Sequence, residues 1–219
     1  MWHRDGAMDE VVVGEDGVAR CWWGAGDPLY RRYHDEEWGR PVAGDVRLFE
    51  MLSLEGFQAG LSWLTILRKR EAFRKAFREF DPEAVARFNA RSVERLLGDA
   101  GIVRHRGKIE ATINNARRYF DLVEEHGSLA AYVWGHEPSS RPERLDWTTL
   151  VERTTSDEAV AMSKDLRRRG WGFVGPTTVY SFMEAVGIVN DHLTACDLRE
   201  EVEHERERFR RPTIGREVR

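Results

Sequence analysis

Apolar positions along much of this chain recur at the spacing of a helix with one buried face. The stretch at residues 48–63 reads LFEMLSLEGFQAGLSW, and four of its apolar residues share such a face: Leu48, Met51, Leu52 and Ala59. Glu55 falls on the same face, and a carboxylate among core positions costs free energy unless a partner compensates it. The stretch therefore predicts a helix that carries a buried acid.

A bend follows this helix. Gly60 and Leu61 interrupt the helical pattern, Ser62 is a good N-cap for a new helix, and Trp63 comes directly after it. A buried acid, a bend and a tryptophan thus lie within nine residues of one another. We predict that they form one wall of a pocket.

Cap signals predict further helices along the chain. They begin at or just after the following residues: Asp27, Asp45, Ser62, Asp81, Ser92, Ser156 and Pro176. The helix from Ser62 is expected to reach about Phe80, and a long helix is expected to end near Glu125. Strand signals are scarce, although VVVGEDGV at residues 11–18 is typical of a brief extended turn. The predicted fold class is all-α.

Composition narrows the class of protein. The chain has 219 residues, of which 41% are hydrophobic and 33% charged, which suits one domain with appended pieces. No apolar run is long enough to span a membrane, and the first ten residues lack the apolar segment of a signal peptide. We therefore expect a cytoplasmic protein without a membrane partner. The net charge of −4 does not indicate nucleic acid, but local basic patches can still bind phosphates.

The two cysteines lie near opposite ends of the chain, at Cys21 and Cys196, and in a cytoplasmic protein they are not expected to form a disulfide. With His34 and His192 they make up a Cys₂His₂ set, which is a common zinc site. Spacing alone equally allows two buried thiols and two ordinary histidines. If a metal is bound, the protein fills all four positions, which favours a structural metal over a catalytic one.

A glycine-containing turn with basic residues separates two predicted helices at 101–108. Glycines let backbone N–H groups point outward, and the next helix presents its N-terminus, so the turn could hold a phosphate. Its candidate residues are Gly101, Arg104, His105, Arg106, Gly107 and Lys108. An ordinary turn with solvated basic side chains fits the pattern equally well.

Aromatic residues are dense near the N-terminus and at the bend: Trp22, Trp23, Tyr30, Tyr33, Trp38 and Trp63. Most aromatic residues are core residues. Together with a buried glutamate, however, tyrosine and tryptophan rings could enclose a planar, electron-poor ring.

Five runs carry a resemblance to a known family: RCWW, DPLYRRYHDEEWG, LFEMLSLEGFQAGLSW, DAGIVRHRGKI and FVGPTTVYSFMEAVGIVNDH. In order and together, they resemble the 3-methyladenine DNA glycosylase I family over about residues 20–196. The resemblance implies a helix-hairpin-helix glycosylase bundle with a zinc site that ties the N- and C-terminal regions together. It also implies monofunctional removal of N3-methyladenine from alkylated double-stranded DNA in base-excision repair. We expect a monomer with a glycosylase domain at 20–197, a flexible extension at 1–19 and a charged, partly disordered tail at 198–219.

The resemblance also implies roles for individual residues. The zinc ligands fall on Cys21, His34, His192 and Cys196. The pocket glutamate, expected to be catalytic, falls on Glu55, and the base-binding aromatic residues on Tyr33, Trp63, Trp23, Tyr30 and Trp38. Gly60 and Leu61 match the loop that enters the duplex, while Arg104, Arg106, Gly107 and Lys108 are expected to hold the DNA backbone.

Two positions depart from the wider pattern. Phe57 stands where some family members carry a polar residue, and this could alter the contact with the duplex. Many helix-hairpin-helix glycosylases use an aspartate on the helix after the hairpin. Asp121 lies on that helix here, and we expect it to be a solvated surface acid.

Three other functions stay open at this stage. One is a DNA-damage binding protein of the same fold without excision activity. Another is a zinc-dependent hydrolase of a small substrate, with water in place of one protein ligand. The third is a glycosylase for other alkylated bases, which the pocket residues do not rank against N3-methyladenine.

Overall fold

A computed structural model describes residues 11–140 and 145–213 of the chain. It is mostly helical, as predicted. The helices are α1 (Pro28–Glu36), α2 (Asp45–Gln58), α3 (Trp63–Ala76), α4 (Pro82–Ala86), α5 (Ala90–Gly98), α6 (Arg106–His126), α7 (Leu129–Trp134), α8 (Trp147–Glu152), α9 (Asp157–Arg168), α10 (Pro176–Ala185) and α11 (Leu198–Arg208). Short 3₁₀ turns occupy Trp22–Gly24 and Arg78–Phe80.

One feature departs from the all-α prediction. Strands β1 (Val11–Val13) and β2 (Ala19–Cys21) form an antiparallel hairpin, with Val11 opposite Cys21. The extended turn predicted for residues 11–18 is confirmed, and it places Cys21 at the start of the helical body. Residues 1–10 of the predicted flexible extension lie outside the described part of the chain.

Helix α2 is the central element of the fold. Every residue from Leu48 to Phe57 is buried, and the helix packs against α3, α6, α7 and α10. The sequence pattern indicated one buried face, whereas the structure surrounds the whole C-terminal part of the helix. Glu55 is therefore enclosed by protein on all sides of its helix, except where a cavity opens beside it.

Most predicted caps are confirmed. The side chain of Asp27 accepts hydrogen bonds from the N–H groups of Leu29 and Tyr30, and Ser62 accepts one from Thr65. The chain turns between α2 and α3 at Gly60, whose φ of +81° favours glycine. Only four residues separate the two helices, so the end of α2 lies close to the start of α3.

Two predicted caps are wrong. Gly44 is the N-cap of α2, and Asp45 instead accepts hydrogen bonds from the N–H groups of Leu129 and Ala130, both at 2.9 Å. Asp45 thus accepts from N–H groups in the first turn of α7, which have no partner within their own helix. Asn89, not Ser92, caps α5, and Ser92 completes its capping box three residues later.

The predicted helix from Ser62 also ends earlier than expected. Helix α3 stops at Ala76, and residues 78–80 have positive φ angles near 56°. This left-handed turn points the ring of Phe80 into the core, where it stacks on Phe77 with ring centroids 5.3 Å apart.

The expectation of a partly disordered tail is wrong for residues 198–208, which form α11. Val202 and Arg206 are four residues apart, and both are fully buried. Arg206 forms an ion pair with Glu137 at 2.9 Å. Because the segment is highly charged, its sequence pattern did not identify Val202 and Arg206 as the buried residues that anchor it. The proposed domain boundary at residue 198 stays a prediction.

We expect Arg206→Ala to destabilise the protein. The substitution removes a fully buried side chain that donates to the backbone oxygen of Gly187 and pairs with Glu137, and it leaves a cavity in their place. The loss costs roughly 3 kcal/mol, or about 10 °C in melting temperature for a domain of this size. The exposed Arg208 on the same helix provides the matched control. Thermal unfolding of both alanine variants checks this, and equal melting temperatures would show that α11 does not depend on Arg206.

Candidate active site and metal cluster

A cavity of about 210 Å³ opens beside α2. Its walls come from five parts of the fold: the first 3₁₀ turn, α1 with the residues after it, α2, α3 and α10. The lining residues are Trp23, Tyr30, Tyr33, Trp38, Glu55, Gln58, Trp63, Ser181 and Glu184. The six residues predicted from the sequence to share a pocket are therefore brought together. The space is smaller than a typical drug-sized site and suits a single planar ring system.

Glu55 is a buried acid in the wall of the cavity. It is only 4% exposed, and burial raises the pKa of its carboxyl group to about 8. Within the described residues, no donor reaches its buried Oε2 atom. A buried polar atom without a partner is rare and needs a reason. Glu55 also lines the cavity, which can admit a ligand with an N–H group.

Aromatic rings form the sides of the cavity. The rings of Tyr33 and Trp63 are 5.5 Å apart between centroids, and that of Trp23 lies 4.9 Å from Tyr30. Burial, together with the charge of Glu55, raises the pKa of Tyr30 to about 12. The tyrosines therefore stay neutral and keep their hydroxyl protons at physiological pH. Rings around an acid create an environment that favours a flat cation.

Sequence reasoning missed three residues of this cavity: Gln58 at the end of α2, and Ser181 and Glu184 on α10. Burial and the charges of Asp191 and Glu55 raise the pKa of Glu184 well above its usual range. The cavity thus contains a second carboxyl group near Glu55. The sequence carried a signal for Ser181 and Glu184, because these polar residues are three positions apart within the mostly apolar run VYSFMEAV.

A second cavity, of about 550 Å³, lies where α10 meets the segment after it. Its buried acid, Asp191, already accepts a hydrogen bond from Tyr180 at 2.6 Å and lies 4.0 Å from Arg153. The charged groups there compensate one another. The cavity at Glu55 is therefore the stronger candidate for chemistry.

The Cys₂His₂ set predicted from the sequence comes together in the structure. One ligand atom from each of Cys21, His34, His192 and Cys196 lies within 4.8 Å of the others, and all four residues are buried. The Sγ atom of Cys196 is 3.5 Å from Nδ1 of His192 and 3.7 Å from Nε2 of His34. Sulfur and nitrogen ligands of a tetrahedral zinc ion are separated by about 3.6 Å. The donor set and its spacing thus fit a four-coordinate metal ion.

Residues around the cluster orient both histidines. The Nδ1 atom of His34 is 2.8 Å from Asp35, and Nε2 of His192 is 3.2 Å from the backbone oxygen of Trp38. Arg20 in turn holds the carboxylate of Asp35. Metal-bound histidines usually donate their second N–H group in this way. Because four protein atoms converge and are buried, the cluster leaves no position for an activated water, which disfavours the metal-dependent hydrolase.

The metal cluster and the cavity share a wall. The ring of Trp38 lies 4.6 Å from that of His192 and 4.8 Å from that of Trp23. Tyr33 and His34 are neighbours on α1, and both are buried; the first lines the cavity while the second belongs to the cluster. The cluster therefore supports the aromatic side of the cavity without entering it.

The turn between α2 and α3 lies beside the cavity, because Gln58 and Trp63 on its two sides both line the cavity. Leu61 at this turn is 42% exposed, although it is a large apolar residue. Phe57, by contrast, is fully buried against Phe73 and Phe77. The expectation that Phe57 alters a duplex contact is therefore wrong.

The predicted phosphate-binding turn connects α5 to α6. Arg104 and Arg106 are exposed, and Arg106 pairs with Glu94 at 2.7 Å. His105 caps α6 by accepting a hydrogen bond from the N–H group of Lys108. Gly107 lies in the first turn of α6, where backbone N–H groups are available to an anion.

Lys108 does not have the predicted role. It is 7% exposed, and its ammonium group donates to the backbone oxygens of Phe57 at 2.8 Å and Ala59 at 2.6 Å. Lys108 thus satisfies the C-terminal end of α2, where helix carbonyls need donors. Burial also lowers the pKa of this lysine. Asp121, as expected, is a surface acid.

No helix within residues 11–140 and 145–213 combines the length and apolar character needed to cross a membrane.

Comparison with known proteins identifies relatives of this chain. Residues 22–200 match the sequence model of a family described as methyladenine glycosylase. The chain is 51% identical over 180 residues to DNA-3-methyladenine glycosylase 1 of Escherichia coli strain K12, covering 82% of this chain and 96% of that protein. It is 40% identical to DNA-3-methyladenine glycosylase of Haemophilus influenzae, with coverages of 82% and 97%.

Solved structures show the same likeness. A crystal structure of 3-methyladenine DNA glycosylase I is 46% identical, with a TM-score of 0.76 over 81% of this chain and 98% of the other. A second, from Staphylococcus aureus, is 40% identical with a TM-score of 0.76, covers 82% of this chain and 96% of its own, and is described as explaining 3-methyladenine recognition.

Proposed function

The chain belongs to the methyladenine glycosylase family, and we propose that it hydrolyses the N-glycosidic bond of N3-methyladenine in alkylated double-stranded DNA. The reaction is the first step of base-excision repair: water replaces the base on the sugar, and an abasic site remains. The family membership agrees with the resemblance in the sequence. The protein removes the base and leaves the strand intact.

The observation that carries this proposal is the unpartnered carboxyl oxygen of Glu55 in an aromatic cavity. A purine methylated at N3 is cationic while it is attached to the sugar. When the bond breaks, the bonding electrons neutralise the base and positive charge develops on the sugar, so the leaving base needs no strong acid to protonate it. What accelerates the reaction is selective extraction of the cationic base and electrostatic stabilisation of the positive charge that passes to the sugar.

Glu55 supplies that stabilisation. Its carboxyl group is largely protonated in the empty cavity near neutral pH, because its pKa is about 8. A cationic ring beside it lowers this pKa, so the group ionises as the base enters. The carboxylate then accepts from the exocyclic amine of the base, while the Trp63 ring packs against the base and Tyr33 supports Trp63 from the side.

Access to the cavity requires the base to leave the duplex. Flipping a damaged base costs a few kcal/mol, and an apolar side chain in the vacated space offsets part of that cost. Leu61, exposed at the turn beside the cavity, is the residue we assign to this wedge. Arg104, Arg106 and the first N–H groups of α6 hold phosphates, which fixes the position of the protein without reading sequence.

We propose that the Cys₂His₂ cluster binds one zinc ion. Bound zinc supplies no chemistry to the reaction; it joins the N-terminal hairpin and α1 to the segment before α11. The four thiolate and imidazole donors suit zinc better than magnesium or calcium, which prefer oxygen.

Counting abasic sites tests the activity. Methylated and untreated duplexes are incubated with the protein, and new abasic sites are labelled with an aldehyde-reactive probe. We expect sites to appear only in the methylated duplex, without strand breaks. Binding without abasic sites would instead support a damage-binding protein.

We expect Leu61→Ala to slow excision from duplex DNA by roughly 10-fold, because the smaller side chain no longer fills the gap left by the base. Excision from methylated single strands should change much less, since no gap must be filled there. Val46→Ala on α2 is the control, as Val46 is also exposed and lies at the opposite end of that helix. Equal losses on duplex and single strand would contradict the wedge role of Leu61.

A further inference from the structure

Phe173 combines two unfavourable features. It lies in the loop between α9 and α10 with a φ of +55°, a conformation that bulky L residues rarely adopt. Its ring is also 39% exposed, although it is large and apolar. Strained backbone at a non-glycine residue persists where the surroundings impose it, and such residues concentrate at functional sites.

The loop is held firmly on both sides of Phe173. The side chain of Asn115 on α6 accepts from the N–H group of Gly172 at 2.8 Å and donates to its oxygen at 3.0 Å. Ser163 on α9 donates to the oxygen of Val174 at 2.6 Å. Polar side chains from two helices thus fix the residues before and after Phe173. Because these hydrogen bonds fix the loop, the exposure of the Phe173 ring does not result from loose packing.

Phe173 lies beside two parts of the fold that lead to the elements assigned to the duplex. Its ring edge is 3.9 Å from the position a Cβ atom would take at Gly107, and its centroid is 6.0 Å from that of His105, both at the start of α6. The Cβ atom of Phe173 lies 3.3 Å from the corresponding position at Gly56, in the last turn of α2, and the Lys108 ammonium group that holds the end of α2 lies 6.0 Å from the ring centroid. Phe173 therefore contacts the phosphate-binding turn and lies close to the end of α2, from which the chain continues to Leu61.

We propose that Phe173 is a positioning residue for the reaction, whose ring packs on a deoxyribose of the duplex between the phosphates held at α6 and the gap filled by Leu61. The proposal rests on the proposed function, because it uses DNA as the substrate. A sugar fits the site chemically: its carbon face is apolar, and it lies between phosphates that Arg104 and the α6 N-terminus attract. The contact carries no sequence information and no charge.

The test is Phe173→Gly, because glycine adopts positive φ freely and keeps the loop conformation. Affinity for a methylated duplex is measured by fluorescence anisotropy over a series of salt concentrations. We expect affinity to fall by roughly 10-fold with an unchanged salt slope, since an apolar contact releases no counterions. Arg104→Ala should reduce the slope instead. The melting temperature of Phe173→Gly should equal or exceed that of the wild type.

Two further readouts separate a positioning role from a structural one. KM for methylated duplex should rise in Phe173→Gly while kcat and binding of free N3-methyladenine stay unchanged, and Phe173→Tyr should restore the affinity. Phe120→Ala is the control, since Phe120 is an exposed phenylalanine about 20 Å further along α6. Unchanged duplex affinity in Phe173→Gly, or joint loss of stability and free-base binding, would overturn the inference. Duplex affinity does not depend on excision, so failure of the proposed function would show separately as an absence of abasic sites.

Discussion

Glu55→Gln should lower the rate of N3-methyladenine excision at least about 100-fold. Glutamine has the same shape and keeps one hydrogen-bond acceptor, but it cannot become negative as the cationic base enters the cavity. Loss of one well-placed electrostatic group in a buried site commonly has an effect of this size. The reduction should appear in kcat/KM, because the negative charge of Glu55 both selects the cationic base and stabilises the positive charge that develops on the sugar as the bond breaks.

The same substitution should make the protein more stable at alkaline pH. The pKa of Glu55 is raised from 4.5 to about 8 in the folded protein, so the folded state holds a proton that the unfolded chain releases. The free energy of unfolding therefore falls as pH rises through this interval. The full shift corresponds to roughly 5 kcal/mol. Glutamine carries no such cost, so the stability advantage of the variant should be small near pH 4.5 and largest above about pH 8.

Single-turnover excision and thermal unfolding at several pH values check both effects. Glu36→Gln is the matched control, because it makes the same chemical change at an exposed position of α1. Its activity and stability should equal those of the wild type. Wild-type excision by Glu55→Gln would show that the cavity works without a charge at this position.

Cys196→Ser should remove the metal ion and lower the melting temperature by more than about 10 °C. A serine hydroxyl is a poor zinc ligand, and binding free energy at a structural zinc site contributes directly to folding. Cys196 precedes α11, and Cys21 ends β2, so the proposed zinc ion joins segments from opposite ends of the chain. Without it, two histidines and a cysteine are left buried around a gap.

Elemental analysis and thermal unfolding with and without a chelator measure this effect. We expect about one zinc per wild-type chain, a lower melting temperature in chelator, and no response of Cys196→Ser to chelator or added zinc. His204→Ala provides the control, since His204 is exposed on α11. A metal-free wild-type protein of unchanged stability would contradict the structural role of the cluster.

Metal loss should also weaken binding of the free base, although the ion is outside the cavity. Trp38 and Trp23 pack on the cluster histidines and line the cavity at the same time. Without a metal ion the two histidines are held less firmly, and the rings of Trp23 and Trp38 then lose the fixed surface on which they pack. We therefore expect the Kd for free N3-methyladenine to be larger in the metal-free protein.

Local signals in the sequence predicted much of the fold. Asp27 and Ser62 are caps because a short polar side chain stands directly before a helical run, and this depends on neighbours in sequence alone. The four cluster residues were named correctly as a group, but their spacing allowed ordinary thiols and histidines equally. The resemblance to a known family and the distances within the cluster both favour a metal site.

Other features depend on contacts that sequence cannot supply. Lys108 looked like a phosphate ligand because it stands in a basic turn, yet it is directed inward to the carbonyls at the end of α2. Asp45 looked like a local cap but serves a helix that begins 84 residues later. In both cases a polar side chain satisfies backbone groups that only the tertiary fold brings near. Arg206 shows the same effect in a segment whose charge indicated disorder.

The central claim is that the cavity at Glu55 removes a cationic methylated adenine from duplex DNA. The most direct test is to incubate the wild-type protein with methylated duplex and to separate the released bases by chromatography. We predict N3-methyladenine as the main product, released much faster than 7-methylguanine, with Glu55→Gln releasing little of either. No released base, or equal release of N3-methyladenine by wild type and Glu55→Gln, would contradict the account.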